Sequence, residues 1–388
     1  MVSIVIQGWR FIPHSYSIIN QFQCLEMLKQ PNVQIFHEDM PFYGENWQSV
    51  HDLFDRDTEL ALQAIQKPSW NRLIDSVLRI TYPYNLEPSS AQQTYIFATA
   101  QVGAVTASML ASGSSLKEAH NNSDSTIITP SNWSKSGLIH SGADPDRVIV
   151  IPHGVDLSIY KPLSDFERNK LRLEFGWEGF VFLNVCSAMS QNKGIYLLLK
   201  AFASVIDKFP DAKLVLKGLD SLYISEELLV KNLEELTYSE AEKIMQGLIY
   251  IGESMPFSKV SQLYQAADFY VSPYLAEGFN LPVLEAIACG LPVICTKGGP
   301  TDDFTTQDFT FYIESKLQEV KLDQHSTGFI LLPEVEHLIE LMIMAVECQD
   351  FITQSRNVGP KFVANRFTWQ TVVDQLLNVL IPQPVVRH

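Results

Sequence analysis

The sequence predicts an α/β protein made of two Rossmann-like halves. A strand, a glycine turn and an amphipathic helix follow one another at the start of the chain, and the same order returns after residue 180. The length of 388 residues suits two domains of ordinary size, and the apolar fraction of 46% is enough to give each a core. We place the domain boundary between residues 155 and 156.

The composition excludes several classes of function. A net charge of -16 argues against binding of nucleic acid and against electrostatic attachment to anionic lipid. Five cysteines occur without Cys-x-x-Cys spacing, which predicts core thiols in a reducing compartment. The uncharged segment 89–116 is too rich in Gln, Ser and Thr to span a membrane, and the first residues predict a strand rather than a signal peptide. We therefore expect a cytoplasmic protein.

In the first half, Val2 to Ile6 is β-branched and predicts a strand, and Gly8 allows a tight turn after it. A helix is predicted from about Ser17 to Lys29 and a second strand from Asn32 to His37. Further strands of this half are predicted at Ser125–Thr129 and Arg147–Pro152.

The second half repeats the design, with apolar runs that predict buried parallel strands. Leu219 to Gln246 is charged and predicts mostly helix, and the chain ends in a helix that reaches about Leu380. The other predicted elements are strands at Phe180–Ser187, Ala212–Lys217, Leu248–Ile251 and Phe269–Ser272, and helices at Ile195–Phe209, Val260–Ala267 and Glu334–Glu347.

The segment 277–296 carries the clearest functional pattern. A helix predicted at Leu281 to Cys289 ends where Gly290 can adopt a left-handed conformation, and a buried strand follows. A loop that enters a helix beside a parallel strand is an anion site, because the first N–H groups of the helix lack partners and its dipole places positive charge there. Glu277 precedes the helix, and Glu285 lies one turn inside it. Anion and polyol recognition together indicate a nucleotide sugar.

Glu277 and Glu285 are separated by seven residues, with Gly278 after the first and a Pro-x-x-Glu-Ala sequence that contains the second. This pattern resembles the signature of retaining glycosyltransferases of the GT-B fold, and the closest likeness is to family 4. The resemblance covers roughly residues 125–299. It implies two Rossmann-like domains with a deep cleft between them and a C-terminal helix that crosses back to the first domain. In that scheme, residues 1–155 and 368–388 form the acceptor side and residues 156–367 the donor side.

The resemblance also implies roles for individual residues. Glu285 would hold the ribose hydroxyls, and Glu277 would lie near the transferred sugar. Lys193, which precedes a predicted helix, matches the family's lysine for the diphosphate. Ser187 and Gly252 follow strands that would face the donor and its base. The loop amides assigned to the sugar and diphosphate belong to Gly278, Phe279, Asn280 and Leu281. In the first domain, the loop that faces the cleft contributes Gly8, Arg10 and His14 as candidates.

This chain departs from the family pattern at two places. Ser187-Ala188-Met189 stands where the family usually has Gly-Arg-Leu, so the phosphate-gripping arginine is absent, and Arg10 or Lys297 are candidate replacements. A charge-assisted hydrogen bond contributes about 1.5–3 kcal/mol. No histidine stands at Ala100-Gln101, where the family often has one, although His14 or His120 are candidates to reach the cleft.

Metal dependence is not expected. Asp144-Pro-Asp146 has the spacing of a metal-binding Asp pair, but the proline and the following arginine predict a plain turn. The resemblance implies retention of anomeric configuration, a UDP-, GDP- or ADP-sugar as donor, and a sugar or small molecule as acceptor, with no separate cofactor. Same-face attack is favoured over a glutamate nucleophile, since no second carboxylate is evident about 5 Å from Glu277.

Two alternatives remain open at this point. Ala188 and the missing histidine favour a non-catalytic GT-B protein, either a sugar-nucleotide binder or a partner subunit of an active transferase. A GT-B epimerase would need an acid/base pair flanking the sugar, and no matching pair is seen. The donor base, the sugar, the acceptor and the oligomeric state are not readable from the sequence.

Overall fold

The computed structural model describes residues 1–69 and 71–381, whose strands and helices divide into two units. The first unit contains residues 1–154 and 320–328 and the helix that begins at Trp369, and the second contains residues 155–319 and 329–368. The segment 320–328, which the sequence assigns to the second domain, thus groups with the first. The predicted crossover segment 368–388 extends past the described residues, since 382–388 lie outside them.

In the first unit, apolar strands and the helices between them alternate along the chain. The elements are β1 Val2–Gly8, α1 Ser15–Met27, β2 Val33–Asp39, α2 Arg56–Gln63, β3 Ser76–Ile80, β4 Gln93–Phe97, α3 Leu116–Asn121, β5 Thr126–Thr129, α4 Asn132–His140 and β6 Val148–Val150.

These strands form a parallel sheet in the order β2-β1-β3-β4-β5-β6. Ile4 faces Ile35 in β2, and Ile6 faces Leu78 in β3. Ile4 and Ile6 are fully buried, as expected for a parallel strand covered on both faces. The carboxyl ends of β2, β1 and β3 therefore lie side by side at one edge of the sheet, which is where ligands of open α/β sheets bind.

The second unit repeats this alternation with a longer chain. Its elements are α5 Asp165–Phe175, β7 Val181–Val185, α6 Ile195–Lys208, β8 Lys213–Lys217, α7 Ser225–Glu234, α8 Tyr238–Ile244, β9 Leu248–Ile251, α9 Phe257–Ala266, β10 Phe269–Ser272, α10 Leu281–Ala288, β11 Val293–Thr296, β12 Thr310–Ile313, α11 Val335–Glu347 and α12 Gln349–Arg366.

The second parallel sheet has the order β12-β11-β10-β7-β8-β9. Its centre is apolar, with Phe182, Phe269 and Ile294 fully buried. Two further strands, β13 Ser315–Lys321 and β14 Thr327–Pro333, pair with each other in a small sheet. Because β7 and β10 are neighbours, the loops after them meet at the carboxyl edge of the sheet.

An ion-pair network holds the start of β10. Arg168 and Arg172 donate to the two carboxylate oxygens of Asp268 at 2.5 and 2.9 Å, and the same carboxylate accepts the Val181 N–H at 2.8 Å. The side chains of all three charged residues are about 15% exposed or less. Strands β7 and β10 are thereby joined at their amino ends, opposite the edge that carries the central motif.

The last described helix, α13 Trp369–Leu380, contributes to the first unit. Its Trp369 stacks on Phe22 of α1 with ring centroids 5.5 Å apart. At its other end, the carbonyl of Leu380 accepts the Ser76 hydroxyl at 2.5 Å, and the carbonyl of Val379 accepts the Tyr95 hydroxyl at 2.6 Å. Within the described residues, no helix is long and apolar enough to cross a membrane.

Several elements differ from their predictions for local reasons. The charged segment 219–246 forms two helices rather than one, because Thr237 and Glu240 make a capping box that starts α8 afresh. Helix α1 begins two residues before its predicted start, because the His14 ring accepts the Tyr16 N–H and so caps the helix. Strands β12 to β14 and helix α12 were not predicted. Their sequences lack a clean period, and α12 carries Pro360 in its interior.

Candidate functional site

The loops after β7 and β10 are docked on each other through backbone groups. The carbonyl of Asn192 accepts the N–H groups of Leu275 at 2.8 Å and Ala276 at 3.2 Å. Gly194 adopts a left-handed conformation (φ 69°), and a side chain there would collide with the Pro273 carbonyl. Only glycine combines a left-handed backbone with the absence of a side chain at this contact. The Asn-Lys-Gly sequence therefore brings Lys193 to the loop that carries Glu277.

Lys193 and Glu277 form an ion pair at this junction. The Nζ of Lys193 donates to Oε1 of Glu277 at 2.5 Å, and the two side chains are 22% and 10% exposed. Burial acts to lower the pKa of Lys193, but the charge of Glu277 and its hydrogen bond outweigh burial and raise it. Lys193 is therefore a fixed cation at neutral pH. The sequence singled out both residues, but it did not show that they contact each other.

The loop before α10 is held in an uncommon backbone conformation. Asn280 has a left-handed backbone (φ 78°), and its Nδ2 donates to the Ser272 hydroxyl at 2.9 Å. Phe279 is buried and stacks on Phe304 with ring centroids 4.6 Å apart. Left-handed conformations are uncommon outside glycine and cluster at functional sites, so this loop has the character expected of a ligand-binding turn.

The front of α10 offers fewer amides than the sequence argument assumed. Pro282, at the second helical position, has no N–H. The N–H of Val283 is bonded to the Asn280 carbonyl at 3.1 Å. Two of the first three helical residues therefore cannot donate to an anion. What remains within the helix is the Leu281 position and the dipole of its eight residues.

Glu285 lies one turn inside α10, as predicted, and two tyrosines hold it. The Tyr264 hydroxyl donates to its Oε2 at 2.8 Å, and Tyr160 makes a further side-chain hydrogen bond to it. Burial raises the pKa of Glu285 to about 7, although both tyrosine bonds act to lower it. Sequence reasoning missed the tyrosines, because neither lies near Glu285 in the chain.

The two glutamates share one neighbourhood. Tyr270, fully buried on β10, donates its hydroxyl to the Val185 carbonyl at 3.1 Å. Burial raises its pKa, and the nearby Cys186, Glu277 and Glu285 raise it further. The structure thus brings Glu277, Glu285 and Lys193 together at the carboxyl ends of β7 and β10.

Ser187 and Gly252 lie at the same edge, after β7 and β9. The carbonyl of Ser187 accepts the Ser225 hydroxyl at 2.5 Å. The carbonyl of Gly252 accepts the Asp220 N–H at 2.9 Å, and a side chain at Gly252 would collide with the Asp220 carboxylate. Tyr250 also donates to that carboxylate at 2.7 Å. Both predicted residues therefore have their carbonyls engaged within the protein.

A buried lysine at the end of β8 escaped the sequence analysis. Lys217 donates to the carbonyls of Gly218 and, at 2.8 Å, Glu253. Burial lowers the pKa of Lys217 to about 8. Burial also raises the pKa of the neighbouring Cys186 thiol to about 12, although the charges of Lys193 and Lys217 act to lower that pKa. The sequence did offer a signal, because Lys217 ends an apolar strand and a lysine side chain is seldom buried unless it has partners.

No group of three or more His, Cys, Asp or Glu side chains is placed to hold a metal ion in the part of the chain that the structure describes. Asp144 caps a short 3-10 turn and accepts from Arg147 Nε at 3.0 Å. The plain turn predicted from Asp144-Pro-Asp146 is confirmed.

Comparison with known proteins agrees with this geometry. Residues 168–349 match the family model described as glycosyl transferases group 1. The matched range includes the ion pair, the loop before α10 and both glutamates.

Relatives and a solved structure extend the likeness. The chain is 25% identical to an uncharacterized glycosyltransferase of Sulfolobus islandicus rod-shaped virus 1, over 66% of this chain and 72% of that protein. It is 34% identical to a D-inositol 3-phosphate glycosyltransferase of Pseudarthrobacter chlorophenolicus, over 41% of this chain and 36% of that protein. The structure of HepE from Anabaena, solved in complex with UDP and glucose, superposes with a TM-score of 0.69 at 15% identity, covering 98% of this chain and 99% of that one. The fold is thus that of the GT-B glycosyltransferases.

Outside the matched range, Gly8 is the last residue of β1, and Arg10 and His14 lie in the loop after it. A side chain at Gly8 would approach Asn20 Nδ2 to 2.8 Å, so glycine is needed where the strand packs on α1. His14 caps α1, and its Nδ1 accepts the Tyr16 N–H at 3.1 Å. Burial lowers the pKa of His14 to about 4. Because its Nδ1 lone pair is occupied, His14 is not placed to act as a general base.

Arg10 is engaged within the first unit. Its Nε and Nη2 donate to the two oxygens of Asp39 at 2.8 and 2.7 Å, and its Nη1 donates to the Leu62 carbonyl at 2.5 Å. The side chain is 8% exposed. The hypothesis that Arg10 replaces the missing arginine therefore loses its support. Lys297 is half-exposed and pairs with Glu314 at 3.1 Å.

His120 has a structural role as well. It is buried, its Nδ1 accepts the Asp144 N–H at 3.1 Å, and its Nε2 lies 3.0 Å from the Ser125 carbonyl. The structure therefore does not offer His120 as a substitute for the family's histidine.

Proposed function

We propose that this protein is a retaining, metal-independent glycosyltransferase that moves a sugar from a nucleotide-diphosphate sugar to an acceptor hydroxyl. The observation that carries the proposal is the Lys193–Glu277 pair beside the left-handed Asn280 loop, with Glu285 one turn deeper. A fixed cation, a helix N-terminus and a diol-binding carboxylate in one neighbourhood match the three parts of such a donor.

Charge compensation at the leaving diphosphate falls to Lys193 and the helix dipole. The raised pKa keeps Lys193 charged throughout the neutral range, so it can stabilise the negative charge that develops as the sugar leaves. Ala188 supplies no cation at the position of the family's arginine. Lys217, whose pKa of about 8 leaves it mostly protonated at neutral pH, adds positive charge to the same edge.

Retention is proposed to proceed by same-face attack. Glu277 is bonded to an ammonium group at 2.5 Å, and a paired carboxylate is a weak nucleophile. Its suitable role is to position Lys193 and the sugar hydroxyls. The departing phosphate then accepts the proton of the acceptor hydroxyl as the new glycosidic bond forms and the old one breaks.

The second candidate is a non-catalytic sugar-nucleotide binder or a partner subunit. Ala188 favours it, since a chain that only binds the donor does not need the second phosphate cation. The two functions differ in one measurable respect, because a transferase slowly hydrolyses its donor when no acceptor is present.

The experiment combines nucleotide affinity with donor hydrolysis. A thermal-shift panel of UDP, GDP and ADP first selects the base, with UDP expected from the likeness to HepE. Glu285→Ala is expected to weaken nucleotide affinity about tenfold or more. Lys193→Ala is expected to reduce hydrolysis of the matching labelled nucleotide sugar by roughly ten- to a hundredfold, with less effect on affinity.

Lys208→Ala is the matched control. Lys208 also pairs with a glutamate, Glu347 at 2.7 Å, but both side chains are about half exposed on the surface of the same unit. Its variant should behave as the parent does. Nucleotide binding without any hydrolysis by the parent would establish the non-catalytic alternative, and no binding of any nucleotide would refute both.

A further inference from the structure

We propose that the carboxyl edge of the first unit binds the acceptor on an aromatic rim, and that the acceptor presents a neutral sugar ring. The rim is defined as His14, Tyr43, Trp47 and Tyr82. The inference rests on the proposed function, since an acceptor is needed only if the chain transfers a sugar. It goes beyond that function by naming the chemical class of acceptor.

The rim rings come from the loops after three neighbouring strands. His14 follows β1, Tyr43 and Trp47 follow β2, and Tyr82 follows β3. Ring centroids are 5.2 Å apart between His14 and Trp47, 6.4 Å between Trp47 and Tyr43, and 4.9 Å between Tyr43 and Tyr82. The four rings therefore form one continuous cluster at the edge where ligands of parallel sheets bind.

A buried aromatic floor holds the rim in place. Trp9, Tyr16 and Tyr84 are each less than 10% exposed. Trp9 lies 5.0 Å from His14 and 5.7 Å from Trp47, and its Nε1 donates to the Pro41 carbonyl at 2.8 Å. The hydroxyls of Tyr16 and Tyr84 are 2.9 Å apart. This filled layer leaves the rim rings no space to move inward.

The exposure of the rim is unusual for such large rings. Tyr43 is 58% exposed, and Trp47 and Tyr82 are half-buried. A group of aromatic rings open to solvent over a rigid floor marks a binding surface. Sugar rings stack on such faces through their axial C–H bonds, while their hydroxyls bond to polar groups at the edge.

The backbone beneath the rim is strained. Phe11 and Asp52 have positive φ angles of 57° and 68°, in the loops after β1 and β2. The Phe11 carbonyl accepts the Val50 N–H at 2.6 Å, and its N–H donates to Gln21 Oε1 at 2.8 Å. A bulky residue in this conformation costs about 1–3 kcal/mol, and such strain clusters at ligand-binding positions.

The charges around the rim disfavour an anionic ligand. In the segments 9–14, 40–55 and 81–92, all of which the structure describes, Arg10 is the single lysine or arginine. Arg10 donates to both carboxylate oxygens of Asp39. Acidic residues in the same segments are Glu45, Asp52, Asp55 and Glu87. An acceptor with a phosphate or carboxylate would therefore meet four carboxylates in these segments and no lysine or arginine other than the paired Arg10, and His14 is uncharged at neutral pH.

Titration calorimetry of the full chain tests the inference without requiring turnover. The probes are the methyl glycosides of glucose, mannose and galactose, each paired with the corresponding hexose 6-phosphate. We expect at least one neutral glycoside to bind and its 6-phosphate partner to bind at least about tenfold more weakly. Trp47→Ala and Tyr43→Ala should each weaken binding of the neutral glycoside by about five- to tenfold.

Two further variants separate a binding role from a structural one. Gly44→Ala keeps every ring but pushes against the Trp47 indole, so it should weaken glycoside binding as well. Tyr238→Ala removes a tyrosine that is 83% exposed on α8 and should leave binding unchanged.

The inference is overturned if a 6-phosphate binds as tightly as its neutral partner, if the rim variants match the parent, or if no neutral glycoside binds. Nucleotide affinity, measured on the same samples, reports on the proposed function alone. A parent that binds glycosides but no nucleotide would refute the proposed function and leave the rim as a sugar site.

Discussion

The carboxyl edges of the two parallel sheets present different chemistry. The second sheet brings a lysine and two glutamates into a partly buried neighbourhood, where Lys193 Nζ lies 2.5 Å from Glu277 Oε1. The first sheet presents aromatic rings, and Arg10 in the loop after β1 is bound to Asp39. The same strand and helix plan thus supports a site with a lysine and two glutamates in one unit and an aromatic surface in the other. The fold positions the loops, and the loop residues determine which ligand each edge can bind.

The largest expected effect tests how the charged edge is assembled. Gly194→Ala should lower the free energy of unfolding by about 3 kcal/mol or more, because it adds a collision with the Pro273 carbonyl to the cost of a left-handed alanine. Gly176→Ala, at a similar φ of 64° with open space around it, should cost only about 1 kcal/mol. Urea denaturation measures both. Equal losses for the two variants would show that the docking of the two loops is not needed.

The next effect separates stability from function at Glu285. Its folded pKa of about 7 lies above the ordinary value of 4.5, so the folded state is favoured by protonation. That stabilisation is complete below about pH 4.5 and is lost as the pH rises through 7. Glu285→Gln should therefore be more stable than the parent at pH 8 by about 2–3 kcal/mol, but not at pH 4.5. Thermal unfolding at the two pH values measures the difference, and a variant equally stable or weaker at pH 8 would contradict it.

A smaller effect tests whether Arg10 stabilises the first unit rather than binding the nucleotide. Arg10→Ala should cost about 2 kcal/mol of unfolding free energy, less than a fully buried pair, since the Asp39 side chain is 49% exposed. Nucleotide affinity should not change. Combining Arg10→Met with Asp39→Asn should recover part of the stability. A tenfold loss of nucleotide affinity in Arg10→Ala would instead place its guanidinium at the donor.

The smallest effect concerns the tyrosine on Glu285. Tyr264→Phe removes a hydrogen bond that acts to lower the pKa of Glu285, at a cost of about 1 kcal/mol. The pH at which nucleotide binding weakens on acidification should then move upward. Nucleotide titrations between pH 5.5 and 8.5 would detect the change. An unchanged profile would mean that Glu285 does not contact the nucleotide.

The sequence predicted the central elements well because their signals are local. Strand β10 matches its prediction residue for residue, and α10 differs by one residue at its end, since Gly290 and Pro292 mark the stop clearly. The motif glutamates lie within one short segment, Glu277 in the loop before α10 and Glu285 on α10, so the sequence alone could group them.

Contacts between distant segments were not predictable in the same way. The sequence alone does not distinguish a paired Arg10 from an unpaired one. Only the pairing of β1 with β2 shows that Asp39 lies beside it. The tyrosines on Glu285 come from positions 125 and 21 residues earlier in the chain. Of the aromatic rim, the sequence analysis named only His14, because the rings belong to three loops that the order of strands brings together.

The position of α13 has a consequence for how the protein is made. Trp369 stacks on Phe22, and Leu380 and Val379 receive hydrogen bonds from β3 and β4, so the first unit is completed by residues that leave the ribosome after the whole second unit. Until then, the apolar side of α1 around Phe22 is uncovered on the nascent chain. The N-terminal unit therefore cannot finish folding until the second unit has been synthesised, in reverse of the usual N-to-C order.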